Sequence, residues 1–430
     1  MGRYGAPGWL LVMGSLVIAL VIQPATTGAR SQPPFPPPFP LETQAALQQI
    51  VEQRLTEAGS PGAAVGVWIP GRGTWVHAQG TGDLATGAPI RVADRFRIGS
   101  ITKTFAATVL LQLVDEGRLQ LDDHLEPYVS GVPNGDRITI RQVLGMTAGI
   151  FSYTADATFE AEYDADPLMP FSLQELLGIL RRHPPDFLPG EGVHYSDTNY
   201  YLLGLIIEQL TGQHVGEAID QRIVQPLRLT STSYPTTPDM PEPYAHGYNT
   251  ESNGALRDVT RSNPGAAGAA GAMLSTLEDL RLWTEALAHG ALLSPTMQRE
   301  RLQWSAFPGG EAVNYRYGLG ILAFDSFIGH SGGIAGYESM AVHLPEANAT
   351  IVVLANKSGL FGGGAAQPIF LEIANLLFPG RLPPLAAAAR TERPAPPALL
   401  PARGISTDSS TSAVASATSR VRARVAPRRL

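Results

Sequence analysis

Strand-forming patterns gather near both ends of the body of this chain, and helical patterns fill the middle. That distribution narrows the fold more than any other feature of the sequence. Residues 63–69 and 74–78 are short β-rich runs split by Pro70-Gly71-Arg72-Gly73, which supplies a hairpin turn. Strand patterns return only at 317–324, 327–329, 337–344 and 351–356. Apolar residues at helical spacing mark helices at 41–58 (Leu47, Ile50, Val51, Leu55) and from Ser100 to about Glu116 (Phe105, Val109, Leu110, Leu113, Val114). Further helices are predicted at 172–182, 199–210, 276–288 and 368–377. The economical arrangement is α+β: one antiparallel β-sheet built from both ends of the body and flanked by helices, with an inserted all-helical subdomain at about 120–265.

The chain has 430 residues, 44% apolar and 16% charged, enough to bury a sizeable core. It contains no cysteine, so thiolate chemistry, disulfides and lipidation of an N-terminal Cys are excluded. Arg3, the apolar run 9–22 and the small residues 24–29 follow the order of a secretory signal, assigning 1–29 to a signal peptide. The run is short for a membrane span, which needs about 20 residues, and a retained N-terminal anchor is the alternative. Residues 30–40 read as a Pro-rich linker, 41–380 as the main domain, and 381–430 as a disordered Ala/Pro/Ser/Arg-rich tail. The expected location is secreted or periplasmic, with loose attraction of the basic tail to the cell envelope as the sharper reading of that tail.

Net charge is −7, but both ends are basic, which leaves the body near −16. An acidic body argues against nucleic acid as a partner. Of the 31 basic residues only Lys103 and Lys357 are lysines. Arg cannot lose its proton in a protein and Lys can when desolvated, so the two lysines are where proton chemistry is sought.

Lys103 lies three residues after Ser100, one helical turn away on the same face. A serine hydroxyl is a poor nucleophile until its proton is taken. A neutral lysine amine takes it if burial or a neighbouring cation lowers the pKa. A solvated helix lysine is the bland alternative. Tyr195-Ser196-Asp197 opens a second helix, and its phenol could relay a proton to and from a Ser-Lys pair; the alternative is a buried aromatic beside a helix N-cap. Gly329-His330-Ser331-Gly332-Gly333 closes a predicted strand, where small residues let a substrate backbone lie alongside. There the Gly333 N–H is a candidate oxyanion donor, and His330 a source of a proton or charge.

That stretch also fits G-x-S-x-G, the nucleophile elbow of α/β-hydrolases. The elbow needs an acid and then a His downstream, but after Ser331 the only His is His343 and the only acid before it is Glu338, on strands that read as antiparallel neighbours. No phosphate loop and no H-E-x-x-H are present, so no cofactor and no metal are expected.

In this order the three segments resemble the serine β-lactamase and penicillin-binding-protein superfamily, in its branch of class C β-lactamases, D-Ala-D-Ala carboxypeptidases and related esterases. The resemblance rests on 96–103, 111–121, 138–149, 195–204 (YSDTNYYLLG) and 330–332, and spans roughly 42–378. It implies acyl transfer through a covalent serine ester, with Ser100 as nucleophile, Lys103 as its base and Tyr195 as proton shuttle. Asp197, His330, Ser331, Gly332 and Gly333 fall at substrate-binding positions, and the backbone N–H groups of Ser100 and Gly333 match the oxyanion hole. The expected activity is that of an exported serine hydrolase, D-Ala-D-Ala carboxypeptidase-like or a related peptidase. A β-lactamase, a small-ester esterase, or a non-catalytic binding or sensor protein on the same fold are the alternatives. A small peptide, β-lactam or ester is the expected substrate. Two departures stand out: Asp197 where Asn is usual, and His330 where most β-lactamases have Lys. Both lower the expectation of efficient β-lactam hydrolysis.

Overall fold

A computed structural model of the protein describes residues 1–2, 37–307, 314–358 and 364–382. All but residues 1–2 of the expected signal segment, and most of the Arg-rich tail, lie outside the described residues. Of the Pro-rich stretch, residues 37–40 belong to the body: Phe39 is buried, and the Thr74 N–H donates to the Pro37 carbonyl at 2.8 Å.

Among the described residues the main sheet has nine strands: β1 Gly62–Ile69, β2 Gly73–Asp83, β3 Ala88–Pro89, β4 Ser305–Ala306, β5 Tyr315–Tyr317, β6 Leu322–Phe324, β7 Phe327–Ile334, β8 Tyr337–Leu344 and β9 Ala349–Ala355. Their order across the sheet is β3-β2-β1-β9-β8-β7-β6-β5-β4, antiparallel throughout. The two ends of the body meet where β1 pairs with β9, Val65 opposite Val353. Both strands are buried along their whole length, because helices cover the sheet on both faces. Helices α1 (Leu41–Ala58) and α6 (Ala366–Leu377) pack together on one face. Helix α5 (Leu277–His289) packs on the other, where Trp283 stacks on Phe105 of α2 (Thr102–Asp115) at 4.0 Å and donates to Thr104. The fold is thus α+β with an antiparallel sheet, as the sequence pattern predicts. Between the strand groups lie mostly helices, among them α3 (Leu173–Arg182) and α4 (Asp197–Thr211). One two-stranded ribbon, Tyr248–Thr250 with Leu256–Asp258, falls inside the region expected to be all-helical.

Two strand boundaries differ from the sequence expectation for steric reasons. The single strand expected over 317–324 is two strands that reverse at Gly318–Ile321. Gly320 takes φ +75°, and a Cβ there would sit 2.1 Å from Ala107 of α2, so only glycine lets this turn rest on the helix. Strand β7 does not stop at Gly329 but runs on through His330-Ser331-Gly332-Gly333. At Gly332 a Cβ would come within 2.0 Å of the Ile98 carbonyl. The glycines that weaken the strand pattern are therefore what bring β7 against the turn before Ser100. Ser331 sits inside an antiparallel strand, not on a strand-to-helix elbow.

Candidate active site

Ser100 occupies a 3-10 turn, Gly99–Ile101, that leads into α2. Gly99 has φ +50°, a left-handed conformation, and a Cβ on it would lie 2.8 Å from both N and O of Gly333. The turn and the strand edge are in backbone contact, which fixes the distance between Ser100 and Gly333.

Lys103, one turn on, is completely buried. Its Nζ donates at 2.9 Å to Ser100 Oγ, at 2.7 Å to Asp197 Oδ1 and at 2.8 Å to the Ala270 carbonyl. Three hydrogens meet three acceptors, which is the geometry of an ammonium. Burial pulls the Lys103 pKa below the ordinary lysine value, against the opposing pull of Asp197. Burial pushes Asp197 up, but Lys103 and the Thr154 hydroxyl outweigh it and hold the carboxyl below the usual range. Thr154 donates to Asp197 Oδ2 at 2.7 Å, and Ser152 Oγ accepts from the Asp197 backbone N–H at 3.0 Å. Asp197 begins α4 without a side-chain cap from Ser196, so its carboxylate is free to face Lys103.

The Tyr195 ring lies 4.9 Å from Lys103 Nζ, in cation–π range. Among the described residues its buried Oη has no hydrogen-bond partner. Burial, then the Asp197 charge, push the phenol well above its ordinary pKa; the nearby Ser100 hydroxyl opposes them without forming a bond of normal geometry. Tyr195 is therefore a neutral donor, not a resting phenolate.

His330 differs from the expectation of a group presenting a proton or charge to substrate. Its ring is 1% exposed and stands behind Tyr195, 6.2 Å between centroids. One ring nitrogen, Nδ1, contacts the Ser331 carbonyl at 2.5 Å and the other, Nε2, contacts Tyr317 Oη at 3.2 Å. The carbonyl only accepts, so Nδ1 carries the hydrogen and Nε2 accepts from the tyrosine. Burial and the Lys103 charge push its pKa down to about 3, so the ring is neutral at any working pH.

Ser100 opens into a cleft of about 190 Å³. Tyr153, Phe159 and Tyr163 form an aromatic wall, and Glu160, Asp164 and Asp197 supply its charged side chains. Of the β7 residues singled out in the sequence, Gly333 lines the cleft, and the His330 ring is buried. The sequence motifs missed Thr154, the aromatic wall and the Ala270 carbonyl. Only the Gly/Ala-only run 265–272 hinted at the last, since small side chains let a backbone carbonyl approach a buried amine.

This is the architecture of the penicillin-recognising serine hydrolases: a Ser and a Lys one turn apart on a helix packed against an antiparallel sheet edge. The chain matches the family model "Beta-lactamase" over residues 47–374 and belongs to that family; it is a serine hydrolase of the β-lactamase and penicillin-binding-protein fold. It is similar to a D-stereospecific amidohydrolase from Streptomyces sp., at 35% identity and TM-score 0.70 over 78% of this chain and 99% of that one. It is also similar to the D-amino acid amidase of Ochrobactrum anthropi SV3, at 26% identity and TM-score 0.67 over 78% and 99%. Penicillin-binding protein 4* of Bacillus subtilis is 25% identical over 65% of each chain.

The contact between Gly99 and Gly333 predicts the effect of one methyl group. Gly99→Ala would strain a left-handed turn, at about 1–3 kcal/mol, and push Ser100 away from β7. Displacement of a reacting group by about 1 Å costs roughly 10²-fold in rate. A thermal melt should show a modest loss of stability, with a much larger fall in kcat/KM on an ester substrate.

Proposed function

We propose that the protein hydrolyses amides of D-amino acids through an acyl ester on Ser100. The observation that carries this reading is the 2.9 Å contact between Lys103 Nζ and Ser100 Oγ at the floor of a cleft whose charged lining is wholly acidic. Once neutral, the Lys103 amine takes the Ser100 proton as Oγ attacks the substrate carbonyl. The oxyanion falls to the backbone N–H groups of Ser100 and Gly333. Tyr195, kept protonated by burial, gives its proton to the leaving nitrogen as the C–N bond breaks, and the proton held by Lys103 restores the phenol. Water then cleaves the ester by the reverse sequence of transfers.

D-Ala-D-Ala-type peptides and β-lactams carry a carboxylate that needs a cationic partner. Among the described residues lining the cleft no side chain is Lys, Arg or His, and His330 is neutral and off the cleft. This favours an amide with an uncharged leaving group over the carboxypeptidase-like substrate that the motifs alone suggest. Similarity to a D-stereospecific amidohydrolase and a D-amino acid amidase supports the same choice. An extracytoplasmic site of action is part of the proposal, supported by the order of charge, apolar run and small residues in 1–29.

A hydrolysis panel tests it: D-phenylalanine amide, its L enantiomer, a D-Ala-D-Ala peptide, nitrocefin and a p-nitrophenyl ester. The D-amide should exceed the L-amide, the D-Ala-D-Ala peptide and nitrocefin in kcat/KM. Rapid turnover of nitrocefin or the peptide with no amide hydrolysis would overturn the proposal.

A further inference from the structure

At position 197 an ionised carboxylate borders the cleft beside the nucleophile. A carboxylate accepts hydrogen bonds and donates none, whereas the Asn of the resembled motif does both. Lys103 and Thr154 each take one site, on Oδ1 and Oδ2 respectively. Two carboxylate oxygens offer about four acceptor sites, so capacity remains. The side chain is 22% exposed, and the open part faces the cleft. A substrate carbonyl placed there would meet oxygen with oxygen. An N–H donor would complete the site, and a charged one would form the stronger bond.

The surroundings have the same preference. Glu160 and Asp164 line the cleft with Asp197, and among the described residues only Asp164 is shared with an arginine, Arg257, at 3.0 Å. Lys103, the cation that touches Asp197, lies buried beneath the floor with all three hydrogens in use.

We propose that Asp197 receives the free α-ammonium group of the substrate, so that the enzyme selects unacylated D-aminoacyl amides and free peptide amino termini and rejects N-acylated ones. This rests on amide hydrolysis at Ser100 as proposed above, and adds a specificity-determining residue to it.

The test compares kcat/KM for D-phenylalanine amide and N-acetyl-D-phenylalanine amide, in the wild type and in Asp197→Asn, all at one pH. Any effect of the substitution on Lys103 acts on both substrates and cancels in the ratio. The wild type should prefer the free amine by at least about 10-fold, the scale of a hydrogen bond to a charged group. Asp197→Asn should shrink or invert that ratio, because an amide side chain donates to an acyl carbonyl. In the wild type, KM for the free amine should rise as pH passes the substrate's own amine pKa, while KM for the acetylated amide should not follow it. Equal or better use of the acetylated amide by the wild type, or a ratio unchanged by the substitution, would sink the assignment. Hydrolysis of the acetylated amide alone would leave the D-amide proposal standing and remove this one; hydrolysis of neither would remove both. If the variant does not fold, the wild-type ratio and its KM profile decide.

Discussion

Lys103→Met is expected to lower kcat/KM by roughly 10²–10⁴-fold, the usual contribution of a positioned general base, and Ser100→Ala to abolish labelling by a fluorophosphonate probe. Methionine keeps the length and apolar body of the lysine stem at a fully buried position, so the packing around 103 survives. What disappears is the only amine within hydrogen-bond reach of Ser100 Oγ among the described residues. Tyr195 cannot replace it, since burial holds its phenol protonated, and His330 is turned away toward Tyr317. Removing one partner of a buried ion pair typically costs about 3–5 kcal/mol. The cost here should fall below that range, because Asp197 borders the cleft and is free to take up a proton. Mass spectrometry of probe-treated protein, with a thermal melt on the same samples, separates the two effects. Full labelling of Lys103→Met at the wild-type rate would remove the amine from the mechanism. Labelling of Ser100→Ala at an equal rate would remove the serine.

The parts of the site that sequence reading reaches are those set by local geometry. Ser100 and Lys103 belong to one helical turn, so spacing alone places them together, and the scarcity of lysine marks 103 as unusual. The sheet was legible for a related reason: apolar runs such as 63–69 and 351–356 are buried on both faces and stand out without alternation. The three-acceptor cradle of Lys103 was not legible, because Ala270 and Asp197 arrive from 167 and 94 residues away and only the folded chain brings them to one nitrogen. The role of His330 was misread for a different cause. A motif names the residue but not which side of the strand its ring takes, and here the ring packs against Tyr317 in the interior. The aromatic wall came from a segment, 153–163, whose side chains read from sequence as ordinary helix and loop residues.

Asp197, one of the two departures that sequence alone flagged, gives the second large effect, on the pH dependence of acylation. Lys103 acts as a base only after losing a proton, so kcat/KM should rise with pH until the amine is free. Around the amine stand the Ser100 hydroxyl, the Ala270 carbonyl, Asp197 and the rings of Tyr195 and Tyr200 from α4 and its entry, with the His330 ring of β7 close enough to feel its charge. Of these only Asp197 is charged in the working range. The two tyrosines are pushed up by burial, and His330, at about 3, is neutral throughout. Burial lowers the Lys103 pKa and Asp197 raises it, so taking away the carboxylate leaves burial less opposed. Asp197→Asn should therefore shift the acidic limb of the kcat/KM profile to lower pH. On that limb each pH unit of displacement multiplies the rate about tenfold at fixed pH, since one unit of pKa is a factor of ten in the free-amine population. The profile should be recorded with a p-nitrophenyl ester lacking an amino group, so that binding through position 197 does not enter. No separate histidine limb should appear near neutrality in either protein. A limb that moves to higher pH in the variant would mean that the carboxylate assists deprotonation of Lys103 instead of opposing it, and the ammonium-holding role of Asp197 would have to be abandoned.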